Sequence, residues 1–393
     1  MKKRIYLISQ TESHLTQRGK RHPNLADYLA NKDYDLTYIS SDFYHADKRH
    51  FKKTEIVNAE SQLKYKLKII KSIGYYSNIS LKRILSNLIF SWKTFKFLKK
   101  QKLDDSIIIV PSRPVEILYF LSKINKKLNV KVIVDIRDVW PDAFNINNKV
   151  FKTLFYYYCD FFQSDSIKLF DDFIHTCPGF TDWLNRYAPQ KESVLIPLGY
   201  DKERFQKHFI DTPRTLKENI NFVYIGLLQK QIDIIPFIDA ISNNSNYLLD
   251  IYGDEGEGEN YTIVKNFIIE NNIKNVYFKG IVPQSEVPLV LTNYDIGLMP
   301  MNAKFAFPNK VFDYIAMSLP IFSIGNHDTS SFVNENEIGW VCDFNKASIQ
   351  KSLIEVIDYN LYNKFSTNIL KIRDNFSREK VFKTIENKIQ CNN

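Results

Sequence analysis

The feature that most constrains the fold is a repeated alternation of short apolar segments with longer helical patterns. In the first half the apolar segments are IYLIS, LTYIS, SIIIV, VKVIVDI, DFIHTC and SVLIPLG. The second half restarts the pattern with NFVYIG, YLLDIYG, NVYFKG, DIGLMP and PIFSIG, and no strand is expected after the last of these. Strands rich in Val and Ile and separated by helices are typical of parallel sheets covered on both faces. The sequence therefore predicts an α/β fold.

The restart of the pattern, together with the length, predicts two domains. A chain of 393 residues is long enough for two domains of about 150–200 residues each. We expect two doubly wound, Rossmann-like domains facing a central cleft, one over residues 1–200 and one over 201–375. Residues 376–393 are expected to form a helix that packs back on the first domain. In such sheets ligands bind beyond the carboxyl ends of the strands, so the site is expected in the loops there.

Composition indicates the cellular setting. The sequence has no uncharged apolar run of about 18 residues, so we expect no transmembrane helix. The four cysteines have neither metal nor redox spacing, which favours free thiols in a reducing compartment. The N-terminal KKRIYLIS is interpreted as a first strand rather than a signal peptide. These features together predict a cytoplasmic protein.

Residues 61–103 form a segment that we call the basic block. It contains eleven Lys and Arg and no acidic residue, against +9 for the whole chain, so the remainder sums to −2. Its bases are interleaved with Leu, Ile, Trp and Phe, which favours amphipathic helices on an anionic membrane surface. The residues expected to contact the membrane are Lys82, Arg83, Trp92, Lys93, Lys96, Lys99 and Lys100. One alternative is a helix that packs its apolar side on the sheet and leaves its lysines in solvent. The other is nucleic-acid binding, which only the positive charge of the segment favours.

One short helix carries polar residues for which a buried helix has no structural need. The segment FPNKVFDYIAMSLPIF predicts a helix opened by Pro308 and closed before Pro320. Asn309, Lys310 and Asp313 can share one edge of its first turns. A helix N-terminus and a lysine suit a phosphate, and a carboxylate accepts hydrogen bonds from the vicinal hydroxyls of a ribose. The edge is therefore either a nucleoside-diphosphate site or a surface Lys–Asp pair.

Turns after earlier strands of the second half add candidates. Gly226 and Lys230 lie in the turn after its first strand, where a lysine could reach a phosphate. Gly280 ends the third strand, where exposed main chain could hydrogen-bond a base. The acidic, glycine-rich turn YGDEGEG between them is unsuited to phosphate and is expected to be a flexible loop.

Taken in order, YIGLLQKQID, IYGDEGEGE, VYFKGIVPQSEV and FPNKVFDYIAMSLPIF resemble the donor half of retaining glycosyltransferases of family 4. In the first half, VIVDIRDVWPDAF and VLIPLGYDKERF are similar to a loop and the domain linker of the same group. The resemblance is to members that build bacterial surface polysaccharides. It implies the GT-B fold, a nucleotide-sugar donor bound by residues 201–375, an acceptor on residues 1–200, and hexosyl or related transfer.

The resemblance also implies roles for residues. Asp313 matches the acidic residue that binds the ribose hydroxyls, and Lys230 matches the basic residue that neutralises the diphosphate. Gly19 lies where a glycine loop brings backbone N–H groups to the phosphates. Arg137 and Asp138 lie on the acceptor side and are the candidate catalytic residues. Asp138 would be the base of an inverting reaction, whereas in a retaining one the departing phosphate takes the proton. Its alternative roles are a helix cap or an ion pair with Arg137.

Three departures from the family pattern bear on which sugar is transferred and on whether its anomeric configuration is retained. Phe305 stands where the family has a further acidic residue, Asp313 is one methylene shorter than the usual Glu, and the glycine loop has a single glycine.

The sequence thus predicts a cytoplasmic glycosyltransferase, peripheral on the inner face of the membrane. Its donor is expected to be a nucleotide sugar, with UDP favoured, and neither a metal nor a cofactor is expected. The acceptor would be a lipid-linked or oligosaccharide glycan, carried on a polyprenyl diphosphate, of a capsule or lipopolysaccharide. No nucleic-acid partner is expected. The alternatives are a sugar-nucleotide epimerase of the same fold and a non-enzymatic basic scaffold that binds anionic partners.

Overall fold

The computed structural model describes residues 2–16, 20–78, 80–128, 130–143, 146, 148–170 and 172–391, with the backbone alone for 125–128. The chain divides into two compact units. The first unit comprises residues 1–196 together with residues 382–393, and the second comprises residues 197–381.

The first unit is built on a parallel sheet. Its strands are β1 (Lys3–Ile8), β2 (Tyr34–Ser41), β3 (Phe43–Tyr44), β4 (Arg49–His50), β5 (Lys66–Ile70), β6 (Ile107–Pro111), β7 (Lys131–Ile136), β8 (Asp172–His175) and β9 (Ser193–Leu195). Seven of them pair in parallel in the order β5-β2-β1-β6-β7-β8-β9, and β3 and β4 form a separate antiparallel pair. Every residue of β6 is buried, so both faces of the sheet are covered. The sequence analysis missed β5, which lies inside the basic block.

The helices of this unit connect the strands as crossovers. They are α1 (Arg21–Ala30), α2 (Lys53–Gln62), α3 (Leu81–Leu98), α4 (Val115–Leu128), α5 (Lys149–Ile167) and α6 (Phe180–Tyr187). Helix α3 packs on α4, and α4 packs on α5.

The second unit repeats the architecture with six strands. These are β10 (Ile220–Ile225), β11 (Tyr247–Tyr252), β12 (Val276–Gly280), β13 (Ile296–Pro300), β14 (Ile321–Ile324) and β15 (Gly339–Cys342), paired in parallel in the order β12-β11-β10-β13-β14-β15. Its helices are α7 (Lys202–Phe205), α8 (Ile235–Ile241), α9 (Tyr261–Glu270), α10 (Val287–Leu291), α11 (Asn309–Ala316), α12 (Asp328–Glu335), α13 (Lys346–Val356) and α14 (Tyr359–Arg373). The last helix, α15 (Arg378–Gln390), begins in this unit and ends in the first.

The prediction of two parallel-sheet α/β domains is confirmed, but a strand of the second sheet was missed, as β5 was in the first. We expected no strand after PIFSIG, yet β15 follows and pairs with β14. Its sequence, GWVC, is too short to show a period. It is buried because Trp340 packs edge-to-face on Phe365, with ring centroids 5.0 Å apart.

The sheet order places a functional edge in the second unit. Strand β10 lies between β11 and β13, so the connections leaving β10 and β13 diverge to opposite sides. Such a switch point opens a crevice at the carboxyl ends of the two strands, where α/β sheets bind ligands. The loops after β10 and β13 are therefore neighbours, although about 75 residues separate the two strands in sequence.

Candidate functional site

The loops after β10 and β13 bring Lys310 and Gly226 together. The ammonium of Lys310 lies 3.7 Å from the ring centroid of Tyr224 and points over the aromatic face. A Cβ built on Gly226 would lie 2.9 Å from the same nitrogen, and the φ of Gly226 is +137°. The backbone conformation therefore favours glycine at 226, and the side chain of Lys310 lies against it.

The ammonium of Lys310 has no counter-ion among the residues that the structure describes. Within them it donates no hydrogen bond and has no carboxylate at ion-pair distance. Burial of the ammonium away from water lowers the pKa of Lys310 to about 7. The carboxylate of Asp313 has a smaller, opposite effect on this pKa. Pro308 is the N-cap of α11 and Asn309 is its exposed first residue, so Lys310 belongs to the first turn of this helix. A cation and a helix N-terminus together favour a bound anion.

Asp313 is held by an arginine that the sequence analysis did not identify. Arg204, in α7, donates to Oδ1 of Asp313 at 3.0 Å, and each side chain is about one-fifth exposed. Burial raises the pKa of Asp313, and Arg204 acts in the opposite direction. The Lys–Asp pair offered as an alternative for this edge is not formed, because Asp313 pairs with Arg204 instead. Oδ2 of Asp313 accepts no hydrogen bond from the described residues.

Glycines with positive φ end three neighbouring strands at this edge. They are Gly226 after β10, Gly253 after β11 and Gly280 at the end of β12, with φ of +137°, +90° and +71°. The N–H of Gly226 donates to Tyr252, and the N–H of Gly253 donates to Gly280. The main chains thus stay in contact past the strand ends, where side chains would separate them.

The turn YGDEGEG is organised, which corrects the expectation of a flexible loop. Asp254 is buried, and its carboxylate accepts backbone hydrogen bonds from Leu228, Gly256 and Glu257 at 2.7–3.0 Å. Lys230, in the facing turn, is exposed, and its amide donates to Glu259 at 2.9 Å. In the described structure no contact joins the Lys230 side chain to Lys310 or Asp313.

The carboxyl edge of the first sheet carries a buried polar cluster. Oδ2 of Asp135 accepts from Nε of Arg21 at 3.1 Å and lies 2.9 Å from Nε2 of His22. Arg137 donates to Oε1 of Glu12 at 2.6 Å, and the backbone of His22 donates to the other oxygen of Glu12 at 3.2 Å. Two guanidinium groups thus meet two carboxylates around one imidazole.

The cluster keeps its carboxylates charged and its imidazole neutral. Burial opposes ionisation of Glu12, yet Arg137 and His22 outweigh it and hold the pKa of Glu12 at about 2. Burial lowers the pKa of His22 despite its bond to Asp135. Nδ1 of His22 and Oδ1 of Asp135 are buried without a hydrogen-bond partner in the described residues.

Arg137 and Asp138, the predicted catalytic pair, form ion pairs with different partners. Arg137 binds Glu12, whereas Asp138 pairs with Nη1 of Arg113 at 3.1 Å, so the ion pair between Arg137 and Asp138 offered as an alternative is wrong. The partners lie in loops more than 20 residues away, which no local pattern could reveal. Gly19 lies outside the described residues.

Helix α3 turns a polar stripe inward, which corrects part of the membrane assignment. Its buried residues are Arg83, Ser86, Asn87, Phe90, Ser91, Thr94 and Leu98. Arg83 was expected at the membrane but is 7% exposed, because it lies on this inward stripe. The remaining expected cations are at the surface: Lys82, Lys96, Lys99 and Lys100 are exposed, and Lys93 is partly exposed.

Apolar residues of α3 are exposed alongside those cations. Leu81 is 80% exposed, Leu85 and Trp92 nearly half, and Nζ of Lys96 lies 3.7 Å over the Trp92 ring. The alternative in which α3 packs its apolar side on the sheet therefore fails for these residues. No helix in the described chain is long and apolar enough to cross a membrane, and no described group of His, Cys, Asp and Glu is arranged as a metal site.

Comparison with known proteins decides the class. Residues 206–371, which include Gly226, Lys310 and Asp313, match the family model described as glycosyl transferases group 1. This segment of the chain is a glycosyltransferase domain. No curated protein sequence matches it. This glycosyltransferase has the GT-B fold, shown by solved structures that are similar over nearly their whole lengths.

Three solved structures illustrate the fold. Sucrose-phosphate synthase from Thermosynechococcus elongatus has a TM-score of 0.72 at 12% identity, covering 98% of both chains. HepE from Anabaena, in complex with UDP, has a TM-score of 0.69 at 11% identity, covering 98% of the glycosyltransferase and 99% of HepE. WaaG, a glycosyltransferase involved in lipopolysaccharide biosynthesis, has a TM-score of 0.66 at 12% identity, covering 99% and 100%.

Proposed function

We propose that the protein transfers a sugar from a UDP-sugar, with retention, to a lipid-linked glycan during synthesis of a bacterial surface polysaccharide. The observation that carries the proposal is the ammonium of Lys310, which has no counter-ion in the described structure and lies beside Gly226 and the first turn of α11. A nucleoside diphosphate supplies the anion that this arrangement fits. The UDP bound by HepE supports uridine as the base.

In the proposed reaction the bond between the sugar C1 and the diphosphate oxygen breaks, and a bond from C1 to the acceptor oxygen forms. Negative charge develops on the departing diphosphate, where Lys310 and the N-terminus of α11 stabilise it. Because these groups are already in place, we propose that no divalent metal is needed. Oδ2 of Asp313 accepts from a ribose hydroxyl while Arg204 holds Oδ1.

We propose retention from a consideration of where the proton of the acceptor goes. Oδ2 of Asp138 lies 3.1 Å from Nη1 of Arg113, so this carboxylate is held in an ion pair. We propose that the departing phosphate takes the proton of the acceptor hydroxyl. Arg137, bound to Glu12, positions the acceptor-side cluster rather than acting on a proton.

The acceptor is proposed to be a polyprenyl-diphosphate-linked glycan at the inner face of the cytoplasmic membrane. The exposed cations and apolar residues of α3 support contact with an anionic bilayer. The likeness in fold to WaaG, which is involved in lipopolysaccharide biosynthesis, is consistent with this setting.

The test is a thermal-shift titration of the purified protein with UDP, GDP, CDP and TDP, without added metal. A ligand that binds only the folded state raises the melting temperature. We expect stabilisation by UDP, reduced at least tenfold in apparent affinity by Lys310→Met. Lys265→Met is the matched control, since Lys265 also lies over a tyrosine, 5.8 Å from the ring of Tyr261 in α9.

Two results would contradict the proposal. Absence of a shift with all four nucleotides would remove the donor site. Conversion of a UDP-sugar to its epimer without any acceptor would assign the alternative epimerase activity to the same site.

A further inference from the structure

Helix α5 carries an apolar stripe on its exposed side. Val150, Leu154, Tyr157 and Phe161 are each 62–71% exposed. Their spacing of four, three and four residues places them along one side of the helix. The opposite side of α5 faces the core, where Phe162 is buried. The helix therefore has two apolar sides, of which only one faces the core of the unit.

The topology places α3, α4 and α5 on one face of the first sheet. They connect β5 to β6, β6 to β7 and β7 to β8, and each step runs in the same direction along the sheet. Right-handed crossovers that run in one direction lie on one face of a sheet. Helix α4 packs on both α3 and α5, so it lies between them. The sides of the three helices that point away from the sheet therefore belong to one surface.

Contacts between aromatic rings cross this surface from α5 to α3. Phe161 stacks on Tyr119 of α4 with ring centroids 6.0 Å apart, and Tyr119 contacts Phe120 at 5.6 Å. Phe120 in turn contacts Phe95 of α3 at 5.6 Å. Trp92, one turn before Phe95, is 43% exposed. We call the surface formed by these rings and the stripe of α5 the outer face.

Lysines surround the outer face and lie over its rings. Nζ of Lys96 is 3.7 Å from the ring centroid of Trp92, and Nζ of Lys123 is 4.5 Å from that of Tyr119. A lysine in this position covers an apolar ring with its stem and keeps its ammonium at the surface. Further exposed lysines lie at the start of α5 and at the end of α3: Lys149, Lys152, Lys99 and Lys100.

Acidic side chains are scarce on the same three helices. Helix α3 has none, and α4 has only Glu116, which is fully buried. Helix α5 has Asp160, which accepts from Tyr187 at 2.7 Å, and the exposed Asp165, which pairs with Lys168 at 3.2 Å. A second copy of the outer face would thus bring lysines against lysines with few carboxylates to pair them. The charges disfavour self-association and favour an anionic surface as the occupant.

We propose that the outer face inserts into the interfacial region of an anionic lipid bilayer, with the stripe of α5 among the upper acyl chains and the lysines at the headgroups. Apolar and aromatic side chains bordered by lysines are typical of helices that lie in this region. The inference rests on the proposed function and deepens it. Contact through the lysines of α3 alone is electrostatic, whereas insertion of α5 adds burial of apolar surface.

The test is cosedimentation of the full-length protein with phosphatidylglycerol vesicles at low and high salt. At about 1 M KCl the Debye length is about 3 Å, which screens attraction between lysines and lipids but leaves the burial of apolar surface intact. We expect the partitioning of the wild type to fall less than tenfold between about 0.1 M and about 1 M KCl. Complete release at the higher salt would show contact by charge alone and overturn the insertion of α5, as would no binding at either salt.

A triple variant of α5 locates the inserted surface. It combines Leu154→Ser, Tyr157→Ser and Phe161→Ser, all at positions more than 60% exposed, so we expect the fold to be kept. Partitioning at the higher salt should fall at least tenfold. The melting temperature without vesicles checks that the variant is folded. A folded variant with wild-type partitioning would refute the proposal.

The matched control removes three exposed side chains of similar size from the second unit. Its changes are Ile354→Ser, Ile357→Ser and Tyr359→Ser, at positions 52–69% exposed. Partitioning should change less than twofold. A loss equal to that of the α5 variant would show that exposed apolar residues act without regard to position, which contradicts a defined inserted face.

Fluorescence measures the depth of α5 in the bilayer. Trp92→Phe removes the exposed tryptophan, since the other three are at most 4% exposed, and Tyr157→Trp then adds a reporter on the stripe. Lipids brominated on their acyl chains should quench this reporter. The same background with Ile354→Trp should not be quenched. An unquenched reporter at position 157 in vesicle-bound protein would overturn the proposal.

Two further measurements separate the remaining outcomes. If sedimentation velocity detects dimers that the triple α5 variant no longer forms, the outer face belongs to a second copy and the proposal fails. The UDP thermal shift reports on the donor site and not on the outer face. Protein that responds to UDP but does not bind vesicles would refute the outer face alone, whereas vesicle binding without a response to any nucleotide would refute the donor function alone.

Discussion

At the scale of single residues, we expect the charge of Lys310 to make nucleotide binding depend on pH. Its pKa is lowered to about 7 in the free protein, first by loss of water, with Asp313 opposing. A bound diphosphate favours the charged form and raises this pKa, so binding takes up a proton above pH 7. We expect the affinity for UDP to fall between pH 7 and pH 9, by up to about tenfold per unit. UDP itself stays fully ionised over this range, since such phosphates have a pKa of about 6.

Calorimetry between pH 7 and pH 9 measures the affinity for UDP. The comparison is Lys310→Met, which we expect to bind UDP more weakly and with an affinity that no longer varies with pH. A wild-type profile as flat as that of the variant would show that the ammonium does not meet the diphosphate.

The polar edge of α11 was predictable because the spacing of Lys310 and Asp313 is local. Arg204 was not, since 109 residues separate it from Asp313 and only packing brings them together.

At the scale of elements, α3 shows what amphipathic spacing leaves undecided. In the basic block, lysines and apolar residues occur on more than one side of the helix. The sequence therefore did not determine which side of α3 would face the core. The buried side of α3, which packs on α4, carries the small side chains Ser86, Ser91 and Thr94. The leucines at 81 and 85 and Trp92 were thereby left outside. The strand pattern was predictable for most of both sheets because buried parallel strands are continuously apolar.

The exposed side of α3 should bind anionic vesicles. Each lysine contributes roughly 1 kcal/mol near such a surface, so four substitutions to Gln should lower partitioning by at least tenfold. The changes are Lys82, Lys96, Lys99 and Lys100. The control replaces four exposed lysines elsewhere in the first unit: Lys32, Lys52, Lys53 and Lys64. Cosedimentation with phosphatidylglycerol vesicles measures how strongly each of the two variants binds the membrane. An equal loss in the two variants would show that only net charge matters and that α3 has no special role.

At the scale of the whole molecule, we expect the two units to carry different recognition tasks. The second has a cation, a helix N-terminus and glycine-ended strands suited to a nucleotide. The first has a buried ionic cluster at the carboxyl edge of its sheet. The repeated sheet explains why the fold was predictable from the sequence. The partners of Arg137, Asp138 and Asp313 were not, because long-range ion pairs leave no periodic signal.

Hydrogen exchange on the full chain tests this division of tasks. UDP should protect the backbone at residues 224–230 and 308–316, since those segments hold Gly226 and the start of α11. Because Lys310 supplies the positive charge, protection by UDP should persist in EDTA. Loss of that protection on chelation would show that a divalent metal, rather than the lysine and helix N-terminus, carries the diphosphate. Protection of the first unit by UDP alone would place the nucleotide on the wrong sheet and refute the donor assignment.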